Sequence, residues 1–249
     1  MGTGTDNINV GCGSTFTNTN ISEIGNIIRN NSGTGVHLTT GVLDNNCVRN
    51  NSFGNNGELA IDLFAKGVLL NDNGDGDNGT NGLYNFPVIE TTSLVGNNLT
   101  VTGFSRPGAI LDFYIADSGP NPDPLPANYS TSFGEGVTIL NTAIEGSGSD
   151  LDGTTGSYID EGNGSTLTKT TNRFEFVLDV SGSGLDISDR ITAIATEPGA
   201  IWNTSEFSGV IEVFEPEICG NGIDDDGDGF IDNLDSECCG AKAPSLSKF

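Results

Sequence analysis

The chain has 249 residues, with 34 acidic side chains against 9 basic ones and a formal net charge of -25. A surface of that sign repels nucleic acid and anionic membrane, which excludes both as partners and leaves cations as the natural counterpart. Hydrophobic residues make up 35% of the chain, a low share, but they alternate in a strand-like way, so the expectation is a folded protein with one large or two smaller cores and not an acidic disordered tail. No apolar run approaches the ~18 residues of a membrane span, and the Met1-Gly2 start lacks the charged and apolar regions of a signal peptide. The reading is of a piece of a larger protein.

Residues 1–70 form the first unit. Gly25 to Asn31 (G-N-I-I-R-N-N) recurs as Asn45 to Asn51 (N-N-C-V-R-N-N), a spacing of 20 residues, and a fixed period in this range marks a solenoid. Short apolar positions (Ile27, Val36, Leu38, Val42, Val48, Phe53, Ile61, Leu63) alternate with Asn, Gly, Ser and Thr, which is too broken and glycine-rich for helices. The pattern fits the short strands and tight corners of a parallel β-helix, with asparagine amides stacked from rung to rung. On the N-x-I-x-x-N of Asn26 to Asn31 and the G-x-x-L of Gly35 to Leu38, the region from about Asn7 to Leu63 resembles the last rungs of right-handed parallel β-helix proteins of the pectate-lyase-like superfamily. Many members cleave or bind polysaccharides, so the resemblance raises an enzyme reading. Catalysis on such a scaffold needs paired carboxylates, or calcium beside a basic residue. Asp6, Glu23, Asp44, Glu58 and Asp62 read as scattered and unpaired, Arg29 and Arg49 as equivalent rung positions, and His37 as a surface or corner residue. No catalytic constellation emerges, and a non-catalytic role is expected.

Residues 71–85 are an acidic Asn/Asp/Gly junction. Carboxylates packed this closely repel unless a cation or solvent relieves them, so Asp72, Asp75 and Asp77 are candidate ligands of a calcium ion that stiffens the joint; a turn-rich linker is the equal alternative. The run from Ile61-Asp62-Leu63 to Asn85-Phe86-Pro87-Val88 is similar to a segment at the end of β-helices in large bacterial secreted proteins.

From 86 to 215 the pattern changes to longer strands rich in β-branched and aromatic residues. They are expected at Phe86 to Thr91, Leu99 to Phe104, Ala109 to Ala116, Val137 to Ile144, Asn172 to Val180, Arg190 to Thr196 and Glu206 to Phe214, with Phe174, Phe176 and Leu178 on one face. About seven strands in ~130 residues is the count of an immunoglobulin-like β-sandwich. Thr196-Glu197 followed by Trp202-Asn203-Thr204-Ser205-Glu206-Phe207-Ser208 is similar to the ending of bacterial immunoglobulin-like surface modules, with Trp202 where those carry glycine. The acidic turns at Asp117, Gly134-Glu135-Gly136 and Asp150-Leu151-Asp152 read as solvated loops in preference to a shared cation site. Ser118 to Asn128, with four alternating prolines, reads as an extended surface loop.

The last unit, 216–240, is a Cys-flanked aspartate-rich motif. Counting Asp224 as position 1 puts Asp226 at 3, Asp228 at 5, Gly229 at 6, Phe230 at 7, Asp232 at 9 and Asp235 at 12, the ligand positions of an EF-hand-type calcium loop, with Phe230 contributing its backbone carbonyl. Short carboxylates around a sharp glycine turn supply the six to eight oxygens that this hard cation takes. Position 12 is Asp where Glu is usual, which weakens bidentate closure. The segment also resembles the aspartate-rich calcium repeats of thrombospondin type 3. Cys219 with Cys238 or Cys239 would clamp the loop in an oxidising compartment, while Cys12 and Cys47 are either thiols or a bridge. Residues 241–249 are a linker or tail.

The sequence therefore describes an all-β chain: the end of a right-handed parallel β-helix, an immunoglobulin-like β-sandwich and a short calcium-loop tail. The expected function is a non-catalytic, calcium-binding segment of a secreted or cell-surface modular protein in adhesion or architecture. Surface glycans or another protein are its candidate partners. The alternative is the C-terminal, accessory carbohydrate-binding part of a β-helix polysaccharide-degrading enzyme.

Overall fold

The computed structural model describes residues 9–12, 25–39, 44–64, 66–72, 74–117, 133–153, 172–199, 202–224, 230–231 and 238. Apart from one 3-10 turn at Thr80–Leu83, the regular elements among them are strands. The first six are short: β1 (Asn9–Val10), β2 (Ile27–Arg29), β3 (Val36–Thr39), β4 (Cys47–Val48), β5 (Ser52–Gly54) and β6 (Ile61–Phe64). They pair in parallel, β1 with β4, β2 with β5 and β3 with β6.

From β2 to β5 and from β3 to β6 the repeat is 25 residues, not 20, whereas β1 and β4 pair across 38. Asn26 Nδ2 donates to Asn51 Oδ1 at 2.9 Å, Asn31 Nδ2 to Asn56 Oδ1 at 2.8 Å and Asn55 Nδ2 to Asn30 Oδ1 at 2.7 Å, each across 25 positions. The N-N-x-x-R-N-N match that suggested 20 aligns Arg29 with Arg49, whereas the strand register puts Arg29 opposite Gly54. Buried Asn51 and Asn56 find their partners on the exposed Asn26 and Asn31 in this register. Asn30 and Asn55 also turn the corner at φ 61° and 53°, a left-handed conformation that asparagine tolerates better than other side chains.

Six longer strands and one of two residues follow: β7 (Val88–Val95), β8 (Asn98–Phe104), β9 (Ile110–Ala116), β10 (Gly136–Ile144), β11 (Arg173–Asp179), β12 (Arg190–Thr196) and the short β13 (Ile211–Glu212). They make two antiparallel sheets, ordered β11-β8-β7 and β10-β9-β12-β13. The sheets face each other across one core, to which Leu99, Val101, Phe174, Phe176 and Leu178 come from the first and Leu111, Phe113, Leu140, Ala193 and Val213 from the second. Phe174, Phe176 and Leu178 share the inner face as alternation demands, and Val177 on the other face is exposed.

The expected last strand, Glu206 to Phe214, is a ladder only at Ile211–Glu212. Before it the chain follows the β12 edge through serines. Ser205 and Ser208 donate their N–H groups to the Ala195 and Ala193 carbonyls at 2.9 and 2.8 Å, and their hydroxyls accept the Ala195 and Ala193 N–H groups, each at 3.0 Å. A hydroxyl stands where a strand would offer a carbonyl.

β9 and β12 are buried almost throughout, whereas β11 alternates. The reason is a third layer. The outer face of the four-stranded sheet carries Tyr114, Ile194 and Ile139, and these pack with Leu38, Val48, Phe53, Ile61 and Leu63 of the short parallel strands and with Phe207. A strand covered on both faces is apolar along its whole length. The first unit and the two-sheet unit thus share a hydrophobic cluster.

Candidate metal sites and the joint beside them

The Asp224–Asp235 loop is closed by a Cys219–Cys238 disulfide, with Cα atoms 5.5 Å apart. Of the two alternatives for Cys219 the structure selects Cys238, and Cys239 lies outside the described residues. Cross-linking a loop of this length removes roughly 3 kcal/mol of unfolded-chain entropy in the loop-closure account. Asp224 and Phe230 are described, and the Phe230 side chain is exposed. Asp226, Asp228, Asp232 and Asp235 lie outside the described residues, as do Asp6, Glu23, Ser118 to Asn128 and the 241–249 tail. A second disulfide joins Cys12 to Cys47 beside the β1–β4 pair.

At the junction, side-chain amides stand in for a ladder. Asn71 Nδ2 donates to the Phe86 carbonyl at 2.8 Å and the Phe86 N–H returns to Asn71 Oδ1 at 2.9 Å. Asn85 does the same with the Asp72 backbone, at 2.9 and 3.1 Å. Both Asp72 carboxylate oxygens accept the Gly76 N–H at 3.1 Å. Asp75 Oδ1 accepts the Asn85 N–H at 2.8 Å, and its Oδ2 is ion-paired with the Arg106 guanidinium, which lies over the Tyr84 ring at 4.8 Å. Burial pushes the Asp75 carboxyl up to about 6, against the pull of Arg106 and with further push from Asp72 and Asp77. Asp77 is raised too, by burial and then by Asp72. The three carboxylates are thus near enough to feel one another, and a guanidinium sits against the most buried of them. Among the described residues no three or more His, Cys, Asp or Glu side chains converge as a metal ion requires.

The acidic turns are not solvated loops. Glu135 and Asp150 are buried, and both are committed. Asp150 Oδ1 accepts the Glu175 N–H at 2.9 Å and its Oδ2 the Gly146 N–H at 2.8 Å, while Asp152 faces Arg173 at 3.5 Å. Glu135 Oε1 accepts the Asn56 N–H at 2.9 Å, and Asp117 Oδ1 the Glu135 N–H at 3.1 Å. Asp117 and Glu135 meet; Asp150 lies beyond the other end of β10, a strand long enough to hold the two turns ~25 Å apart.

Two expectations about the first unit change. Glu58 and Asp62 are not scattered: the Thr34 hydroxyl is 2.9 Å from Glu58 Oε2 and 3.4 Å from Asp62 Oδ2. Lys66 and then Thr34 hold the Glu58 carboxyl below the usual carboxylate range. His37 lies not at a corner but within β3, half-buried and in register with buried Asp62, and its Nε2 is buried without a hydrogen-bond partner.

Sequence reasoning also missed the joint between the units. Arg49 is not equivalent to Arg29: it is buried and forks onto Asp112 of β9, Nε to Oδ2 at 2.7 Å and Nη2 to Oδ1 at 2.6 Å, with the Thr142 hydroxyl adding 2.6 Å to Oδ1. The signal was Asp112 itself, a carboxylate in the otherwise apolar I-L-D-F-Y-I-A of β9, which is costly unless something pairs it. The N-T-S-E-F-S segment supplies the rest. Asn203 Oδ1 accepts the Asn45 N–H at 2.7 Å and Thr204 Oγ1 the Val48 N–H at 3.0 Å. Glu206 accepts the Leu63 and Leu69 N–H groups, each at 2.9 Å, and Phe207 meets Phe53 edge-on at 5.6 Å. These polar groups cap the backbone of the short strands where they abut the sheet. No family model matches the chain.

Proposed function

We propose that this chain is a non-catalytic, calcium-binding segment of a secreted or cell-surface modular protein, with an architectural or adhesive role. In this reading terminal rungs of a right-handed parallel β-helix are seated on an immunoglobulin-like sandwich, and the Cys-closed aspartate loop is the calcium site. The observation that carries it is the Cys219–Cys238 disulfide, which brackets Asp224, Asp226, Asp228, Phe230, Asp232 and Asp235 at calcium-ligand spacing. The Cys12–Cys47 disulfide supports an extracellular, oxidising setting. The asparagine ladders across 25 positions support the rung reading, and the two facing antiparallel sheets support the sandwich. Asp72, Asp75 and Asp77 are the weaker second site, because Arg106 already neutralises Asp75.

The test is calcium titration by calorimetry with thermal unfolding in calcium, in magnesium and in chelator at fixed ionic strength. Calcium at about 100 times its Kd adds about 2.7 kcal/mol, or roughly 5–10 °C in a chain of this size. Asp226→Ala with Asp228→Ala should remove that gain. No binding heat and no shift in midpoint would end the calcium reading.

The accessory-enzyme alternative has one observation on its side, the Glu58–Thr34–Asp62 cluster. Asp62 is fully buried and Glu58 is tied to Lys66, so the pair does not present two water-accessible carboxylates to a sugar. Binding of acidic or neutral polysaccharide, abolished by substitutions on that face, would favour the alternative.

A further inference from the structure

Glu135, at the start of β10, faces the rung stack. Its Oε1 accepts the Asn56 N–H at 2.9 Å and its Oε2 accepts Asn56 Nδ2 at 2.7 Å. Asn56 in turn holds the other rung: its Oδ1 accepts the Asn31 N–H and Nδ2 at 3.2 and 2.8 Å, and its Nδ2 also reaches the Ile28 carbonyl at 3.0 Å. One carboxylate therefore grips both rungs through a single residue. Among the described residues, the hydrogen-bond donors to that carboxylate are these two neutral amides. The charges around it are Asp117 from the end of β9, Arg29 from β2 and Arg190 from β12. Arg29 directs its Nη2 to Ser52 Oγ and to the Val137 carbonyl, and Arg190 reaches the Asp117 carbonyl at 3.5 Å.

We propose that Glu135 is a proton-responsive latch on the joint, closing the rungs onto the sandwich most firmly in mildly acidic medium and loosening them as the pH rises past neutrality. The geometry sets the direction. A closed joint buries the carboxyl beside the negative Asp117, whereas an opened joint returns it to water, so the closed state binds the proton more tightly and protons favour closure. Burial is the largest effect and lifts the group from its ordinary 4.5 to about 7; the two Asn56 bonds and Arg29 oppose it, and Asp117 adds to it. With the folded value raised, the contribution is full below the ordinary carboxylate range and is lost as pH rises through about 7.

Hydrogen exchange of the Asn56 amide in the whole chain reads the latch directly. Corrected for intrinsic exchange, its protection should fall about 30-fold between about pH 5.5 and 8.5, the ratio those two titration values give. Glu135→Gln should flatten that dependence while Asp117→Asn should shift its midpoint to lower pH, and the second variant carries the test if the first fails to fold. The proposal is overturned if wild-type protection does not change, if Glu135→Gln falls in parallel with it, or if Asp117→Asn leaves the midpoint in place.

Discussion

Replacing Arg49 by methionine keeps most of the side chain's apolar stem and removes the guanidinium from Asp112. In the wild type the two side chains are 8% and 0% exposed. Asp112 would be left with the Thr142 hydroxyl as its side-chain donor, and a buried carboxylate stripped of its partner costs about 3–5 kcal/mol. For a chain of this size that lowers the midpoint by roughly 10 °C. Most of this figure is the cost of an orphaned charge and not the worth of the pair. Adding Asp112→Leu to Arg49→Met should therefore restore most of the lost stability, because the desolvation penalty leaves with the charges. The assay is urea unfolding followed in parallel by circular dichroism and by fluorescence of Trp202, which sits at the joint, its backbone N–H donating to Asn45 Oδ1 at 3.0 Å. A loss below about 1 kcal/mol for Arg49→Met would refute the reasoning, because the pair would then be hydrated. Separate transitions by the two probes in the wild type would refute the shared cluster that makes the joint part of one cooperative unit.

Phe207→Ala removes a ring packed edge-on at 5.6 Å from Phe53 and 5.3 Å from Tyr114, and should cost about 3–5 kcal/mol with both probes moving together; a drop seen by one probe alone would mean that the units unfold separately. Gly103→Ala would set a Cβ 2.1 Å from the Val88 carbonyl oxygen and 2.6 Å from the Phe174 ring, so β7 and β8 must part. A folded Gly103→Ala protein with wild-type midpoint would show that this approach is looser than the structure has it.

What was legible in the chain follows from how far each interaction reaches. The Phe174-Phe176-Leu178 alternation is a property of one strand, and it was read correctly together with the positions of most of the seven strands. The asparagine repeat was seen but misregistered, because N-N-x-x-R-N-N is the more conspicuous local match while the pairing of the short strands rests on the isolated amides of Asn26, Asn31, Asn51 and Asn56. The joint was missed altogether. Its pairs, such as Arg49 with Asp112 and Leu63 with Glu206, lie far apart in the chain, and no local period links them. The one trace they leave is polarity in the wrong place: Asp112 in an apolar strand, and a T-S-E-F-S segment with strand-like composition that pairs through hydroxyls.

The distribution of the few basic residues bears on where a metal would act. Arg49 is spent on Asp112, Arg106 on Asp75, Arg173 on Glu90 and Asp152, and Lys66 on Glu58. Arg190 and Arg29 are drawn to carbonyls at the Glu135 joint. The contact between the short parallel strands and the two-sheet unit is therefore held by the chain's own cations, amides and apolar side chains, and a calcium ion there would add little to carboxylates that already have partners. Between Cys219 and Cys239 the sequence places six aspartates, one glutamate and no lysine or arginine. A disulfide that draws such a segment into a closed loop raises its charge density without supplying a counter-charge. On the proposed reading the neutralising cation would come from solution, and the sequence spacing of aspartates around Gly229 is that of a calcium loop. Calcium would then act at the Cys219–Cys238 loop, while the joint between the short parallel strands and the two-sheet unit holds through its own ion pairs and amide bonds.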